Sequence, residues 1–377
     1  MKYYLLYILP VCLLFLGFCE NNNVTGPKPV DSAENLPLLR ETNKIGIIKG
    51  FNPTNPPATT DSINQRWAEA LASGMSVGRL QIDWPELEPE PNVYNLDVLE
   101  DRLIEYQNQG LQSFLLISAY DSDGPVIPQD LQDLKFDDPT LINRFNNLMD
   151  VVIPILSKYD GYMISITNEA DNNFGEVPNL HSQILKFLQE AKSHIHDINN
   201  EMAVTITLAE GSLDLNKPGI KKIIDECDVA CWNFYGSNFI YELPYYTAQK
   251  ESEIKADVQR MLNLSGNKNI VIQELGMWSG GDILDSSERI QRDFFEIFFE
   301  IMEQEDKIVV AYVFQLVDWS PEVTKIFTNL FEDENLPEKY IDAFSESLET
   351  MGLIKYEDGT QKLAWNTFIK WVKRFKK

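Results

Sequence analysis

Basic residues, histidine and cysteine are all scarce in this chain. Lys and Arg together number 32 against 58 Asp and Glu, a formal net charge of -26 over 377 residues. A surface with that excess of acid repels a phosphate backbone, so nucleic acid is excluded as a partner, whereas a neutral ligand meets no such barrier. The three histidines build no metal site, because His194 and His196 are spaced so that a helix turns them to different faces. Of the four cysteines, Cys12 and Cys19 fall in an apolar stretch at the start of the chain. Cys227 and Cys231 lie in an extended pattern, where about 3.3 Å per residue separates their Cα atoms by about 13 Å, beyond the reach of a disulfide. Two buried thiols are expected there, with no metal and no organic cofactor. Also lacking is a glycine fingerprint after the first strand-like run, which argues against a dinucleotide-binding open sheet. No tandem repeat of constant period is visible.

Only one apolar run is long, and it stands at the N-terminus. Lys2 is followed by Tyr3 to Phe18, almost wholly apolar, and then by Cys19 and Glu20-Asn21-Asn22-Asn23. A short apolar core behind a basic residue is the pattern of a secretory signal, too short for a comfortable membrane span. Leu16-Gly17-Phe18-Cys19 resembles a bacterial lipoprotein processing site. That resemblance implies lipidation of Cys19, export to the cell envelope and a lipid anchor in the outer membrane as the sole contact with a membrane; an ordinary secretory signal is the alternative. Residues 1–19 are expected to be the signal, the polar, proline-bearing residues 20–40 a tether, and residues 41–377 the folded domain.

Hydrophobic residues make up 44% of the chain and aromatics 11%, enough to bury a sizeable core. Apolar runs recur at Ile45 to Phe51, Val77 to Trp84, Gln112 to Tyr120, Tyr162 to Glu169, Ala203 to Gly211, Val229 to Gly236, Asn269 to Gly276 and Ile308 to Trp319. Amphipathic stretches separate them. Thr60 to Ser73 places Ile63, Trp67, Ala70 and Leu71 at helical spacing, and Asn95 to Gln109, Pro139 to Lys158, Leu180 to Asn199 and Ser286 to Glu303 behave alike. The last is expected to open with a capping box of Asp285 and Glu288. Gln361 to Lys377 carries Leu363, Phe368, Trp371 and Phe375 on one face and basic residues on the other. It reads as the last helix of the domain, with a membrane-surface helix as the alternative. Phe331 to Glu338 reads as an acidic, solvated loop. Strand and helix alternating eight times imply a parallel sheet, and the expected fold is a single-domain (β/α)8 barrel.

Two of the runs end in an acid: Glu169 after Asn168, and Glu274. In a parallel barrel the C-terminal strand ends form the active rim. Two carboxylates brought to one mouth there are what glycosidic bond cleavage requires. The remaining strand ends add Lys49, Arg79, Asp83, Trp84, Tyr120, Asp121, Asp123, Asn233, Tyr235, Gln315, Asp318 and Trp319, a set rich in acids, amides and aromatics. Trp278 follows Glu274 on a glycine-flanked loop.

These positions resemble the signature of the clan A glycoside hydrolases, retaining enzymes on a (β/α)8 barrel. The resemblance runs from about Ile45 to the C-terminus and includes Trp84 to Tyr94 (WPELEPEPNVY) and Met351 to Trp365. It implies that Glu169 is the acid/base and Glu274 the nucleophile. It implies further that Arg79 and Tyr235 support Glu274, that Asn168 binds the sugar 2-hydroxyl, and that Trp319 floors the central sugar site, with Trp84 and Trp278 as further stacking surfaces. Many members carry a His at the end of the third strand, where this chain has Tyr120-Asp121-Ser122-Asp123. The expected reaction is double displacement on a β-linked oligo- or polysaccharide. The charge of Glu274, about 5 Å away, keeps the proton on Glu169 until the ester forms, after which Glu169 serves as base. A barrel that binds carbohydrate without cleaving it is the alternative, and an aldolase-like Schiff base on Lys49 a weaker one. The sugar and the oligomeric state are left open.

Overall fold

The computed structural model describes residues 43–213, 217, 219–240, 245–281, 283–329 and 338–376. The expected signal, Cys19 and the tether lie outside the described residues, as does the acidic loop up to residue 337. All eight expected strands form: β1 Lys44–Ile47, β2 Val77–Gln81, β3 Gln112–Leu116, β4 Gly161–Asn168, β5 Ala203–Leu208, β6 Ala230–Phe234, β7 Ile270–Leu275 and β8 Ile308–Val313. They make one sheet in the order β1-β8-β7-β6-β5-β4-β3-β2, sequential except that the first strand is paired with the last. β1 with β8, β2 with β3, β3 with β4, β4 with β5 and β5 with β6 are parallel pairs. Every residue of β5, β7 and β8 is buried. A parallel strand covered on both faces needs apolar side chains in both directions, so these segments read as continuous runs and not as alternation.

The described chain groups into two compact units. The first comprises Val77–Asn233 and Leu262–Val271. Its helices are α2 Asp97–Asn108, α3 Pro139–Lys158, α4 Leu180–Ile198 and α5 Ile220–Glu226. Asp138 caps α3 by accepting from the Thr140 amide, with Pro139 at the first helical position, where a missing N–H costs nothing. α3 packs on α4, with the Phe145 and Phe187 rings edge-on at 4.8 Å. α5, only seven residues long, was too short to show a period in the sequence.

The second unit comprises Thr42–Ser76, Phe234–Met261 and Ile272–Lys377. It carries α1 Pro57–Ser73, most of α6 Glu251–Ser265, α7 Glu288–Gln304 and α8 Leu363–Phe375, plus two helices inserted after β8, Pro321–Asn329 and Glu338–Glu349. The cap of α7 differs from expectation: Ser287, not Asp285, accepts from the Ile290 amide. Glu288 is occupied elsewhere, accepting from the Leu363 amide and pairing with Lys355. α8 packs on α7 and α1, burying Phe368 and Trp371. Its apolar face is therefore used inside the fold, which replaces the membrane-surface alternative. No helix of the described residues is long and apolar enough to cross a membrane. Cys227 and Cys231 are both buried and are not joined in a disulfide, as their spacing required.

Candidate active site

Glu169 stands at the end of β4, and the local backbone re-aims it twice. The β4–β5 register shifts between Ser165 and Asn168, so that three residues of β4 advance against two of β5, from Thr205 to Thr207. Such a bulge turns the following side chains relative to a regular strand. Glu169 itself sits at φ 51°, the left-handed region that costs a non-glycine residue about 1 kcal/mol or more. Its amide is held by the Thr207 carbonyl at 2.8 Å. The chain then enters a short 3-10 turn, Ala170–Asn173, in which side chains three apart eclipse. That brings the Asn172 Nδ2 to 3.3 Å from one carboxylate oxygen of Glu169, while Asn233 Nδ2 donates to the other at 2.8 Å.

The turn is pinned from below. Asp171, fully buried, accepts from the Ala209 amide at 3.1 and 3.2 Å and from the Ser212 hydroxyl. Burial pushes its carboxyl above the usual range, opposed by Lys217 and these donors. Lys217 also donates to Asn172 Oδ1 at 3.4 Å, and burial lowers its ammonium against the attraction of Asp171 and Glu169. Asn168 has its own partners: its Nδ2 donates to Asp121 at 3.1 Å and its Oδ1 accepts from Asn233 at 3.3 Å. Both Glu169 and Asn168 are buried, Glu169 with 2% of its surface exposed. Asn233 is expected at a strand end with no role assigned, and nothing in the sequence reading points to Asn172. Three-residue spacing in a turn was the signal for the latter.

Glu274 stands near the end of β7, 3% exposed. The Tyr235 hydroxyl donates to it. Tyr235 is itself packed edge-on against Phe314, centroids 5.9 Å apart. Gly276 makes this possible, because a Cβ there would lie 2.7 Å from the Tyr235 ring.

Arg79 is buried on β2, where its Nη2 donates to Gln81 Oε1 at 2.9 Å and the Tyr106 hydroxyl donates to its carbonyl. Three expected sugar platforms are placed differently. Trp84 has no exposed surface. Its ring meets Phe145 edge-on at 5.0 Å and its Nε1 donates to Glu88 at 2.7 Å, so it packs the first unit. Glu88 in turn accepts from the Asn92 amide and from Arg144, fixing the loop after β2. Trp319 is not at a strand end: β8 stops at Val313, and the ring lies 4.6 Å from Phe327 and 5.7 Å from Phe51. Trp278 is buried as well. The reason is common to all three: an aromatic bordering a polar segment reads as a platform in sequence, but its apolar area is large enough to draw it inward wherever space allows. Asp318 is likewise structural. It is paired with Lys362 at 2.6 Å and accepts from the Gly352 amide, and burial raises its carboxyl to about 7 against the pull of Lys362. Lys49 is exposed, its ammonium 5.6 Å over the Trp67 ring. A Schiff-base lysine needs a desolvated pocket, and this one has none.

Among the described residues no group of His, Cys, Asp and Glu side chains could hold a metal ion. No protein-family model matches the chain, and no curated protein matches it. Solved structures do. A GH5_18 protein of Bifidobacterium longum subsp. longum is similar at a TM-score of 0.65 with 14% identity, over 89% of this chain and 80% of that one. The chain has the (β/α)8 fold. A GH5_18 protein of Streptomyces cattleya, solved with GlcNAc, is similar at 0.65 with 12% identity, over 89% and 81% of the two chains. An exo-beta-1,4-mannosidase of an Opitutaceae bacterium is similar at 0.60 with 16% identity, over 91% of this chain and 62% of that one.

Proposed function

We propose that the chain is a retaining β-glycoside hydrolase in which Glu169 is the acid/base and Glu274 the nucleophile. The observation that carries this reading is the pair of buried acids, each at the end of its own parallel strand, with unlike partners. Glu169 is met by two amide donors and Glu274 by a phenol. Double displacement asks for that asymmetry. A nucleophile stays ionised until it attacks, and a charge-assisted bond from a hydroxyl suits it. An acid/base passes through both protonation states, and an amide donor can serve a carboxylate or the carbonyl oxygen of a carboxylic acid. Glu274 attacks the anomeric carbon as Glu169 delivers its proton to the leaving oxygen, and the same Glu169 then takes a proton from the water that cleaves the ester. Asn168 binds the sugar 2-hydroxyl in this scheme, and Arg79 and Tyr235 support Glu274.

The solved relatives support the substrate class. One is named a mannosidase, and a variant of the Bifidobacterium protein was solved with Manb1-4GlcNAc. A β-linked oligo- or polysaccharide is the proposed substrate. The N-terminal residues support export and lipidation at Cys19, which would place the enzyme in the cell envelope; failure of a full-length chain to incorporate palmitate at Cys19 would remove that part.

The test of the mechanism is chemical rescue. Glu274→Ala is expected to lose turnover by at least about 10⁴-fold and Glu169→Ala by about 10² to 10⁴-fold. Azide should revive both, giving an α-glycosyl azide from the first and a β-glycosyl azide from the second. Swapped or identical anomers would overturn the assignment. Unchanged glycan binding with no turnover in the parent protein would favour the non-hydrolytic barrel.

A further inference from the structure

The segment after β3 holds a carboxyl that the mechanism above does not use. Tyr120–Asp121 pairs antiparallel with Gly124–Pro125 in a tight ribbon. Two bonds tie the ribbon to the segment that carries Glu169: Asn168 Nδ2 donates to Asp121, and Asn173 Nδ2 donates to the Ser122 carbonyl at 2.8 Å. Asp121 is 3% exposed. Its two oxygens are treated very differently. Oδ1 accepts from the Ser122 amide at 2.7 Å, from Asn168 at 3.1 Å and from the Ser122 hydroxyl at 3.2 Å. Oδ2 makes no hydrogen bond among the described residues.

Burial holds the Asp121 carboxyl well above the ordinary carboxylate range, and the donors on Oδ1 only partly oppose it. The charged groups that act on it are acids, Asp123 in the same ribbon and Asp83 after β2, and both push the same way. With three donors on Oδ1, the proton belongs on Oδ2. The result is a neutral O–H donor next to the residue that precedes Glu169, fixed by the bonds on its other oxygen. That hydroxyl has no acceptor among the described residues, and a bound oxygen would supply one.

We propose that Asp121 is a substrate-contacting residue, its Oδ2 hydroxyl donating to a hydroxyl oxygen of the sugar bound against Asn168. The inference rests on the glycosidase reading above for the identity of the ligand. It makes Asp121 a selector of one hydroxyl position. A site that hydrogen-bonds a hydroxyl rejects the analogue lacking it far more strongly than an apolar pocket would.

Two readouts test it. Difference infrared spectroscopy near neutral pH should find a protonated carboxyl stretch that vanishes in Asp121→Asn; a spectrum unchanged by that substitution would overturn the donor. In kinetics, Asp121→Ala should lower kcat/KM by about 10- to 100-fold. Asp121→Asn, which keeps an acceptor on one atom and offers an N–H in place of the O–H, should recover most of that loss. Among monodeoxy substrates, one position should be penalised in the wild-type protein and not in Asp121→Ala. Equal losses in the two variants, or the same deoxy penalties in all three proteins, would overturn the proposal. Should the parent protein cleave no glycoside, the reading of the acid pair fails on its own. Calorimetric binding of the same sugars to the three proteins then decides Asp121 by the same ranking.

Discussion

The surroundings of Glu169 and of Glu274 are built from different materials. Around Glu169 the chain spends amides: Asn168, Asn172 and Asn233 form a chain of donors running from Asp121 to Lys217. Around Glu274 it spends aromatic area, with one phenol held by Phe314 and by the absence of a side chain at Gly276. Among the described residues the buried Asp121 accepts from neutral donors, whereas Asp171 and Asp318 each face an ammonium, Lys217 and Lys362. A group that must change protonation state during a reaction is best served by donors that tolerate both states. A group that must hold one state is better served by a directed hydroxyl in rigid packing. The two distances on Glu169 sharpen this. Asn233 donates to one oxygen at 2.8 Å and Asn172 to the other at 3.3 Å, so the Asn233 bond is the firmer of the two.

The largest effect expected outside the two acids themselves is on stability. Lys362→Met strands the Asp318 carboxyl in the interior and should cost about 3–5 kcal/mol in chemical denaturation. pH sharpens the point. With Asp318 raised to about 7 in the folded protein against 3.8 as a free carboxyl, the native state binds a proton that the unfolded chain has released across that interval. Its contribution to stability is therefore full below about pH 4 and declines as pH rises to about 7. Asp318→Asn should flatten that part of the stability profile; an unchanged slope would break the contrast drawn between Asp121 and Asp318. Next in size, Tyr235→Phe should lower kcat by about 10- to 100-fold, the worth of one hydrogen bond to a charged group, with KM little changed. The smallest effects distinguish the two amides. Asn233→Ala should cost about tenfold and Asn172→Ala about threefold, following the lengths of their bonds. If Asn172 mattered more, bond length would not be what ranks the two amides.

Much of this was legible from residues alone. The eight apolar runs were eight strands, because burial on both faces leaves a continuous hydrophobic signature that needs no knowledge of the neighbours. The two acids stood out because a carboxylate closing such a run is anomalous wherever the run packs. The capping residue of α7 was misplaced by two positions, since Asp285 and Ser287 are equally good caps until the helix start is fixed.

What the sequence by itself determined is the succession of elements and the identity of the chemical groups at the strand ends, since both follow from local period and composition. What only the tertiary structure decided is orientation. The bulge between Ser165 and Asn168, the left-handed backbone at Glu169, the burial of Trp84 and the pairing of Asp121 with Asn168 all depend on strands and loops far apart in the chain. Local sequence carries no record of them, because a side chain's direction is set by the register and space that its distant neighbours leave it.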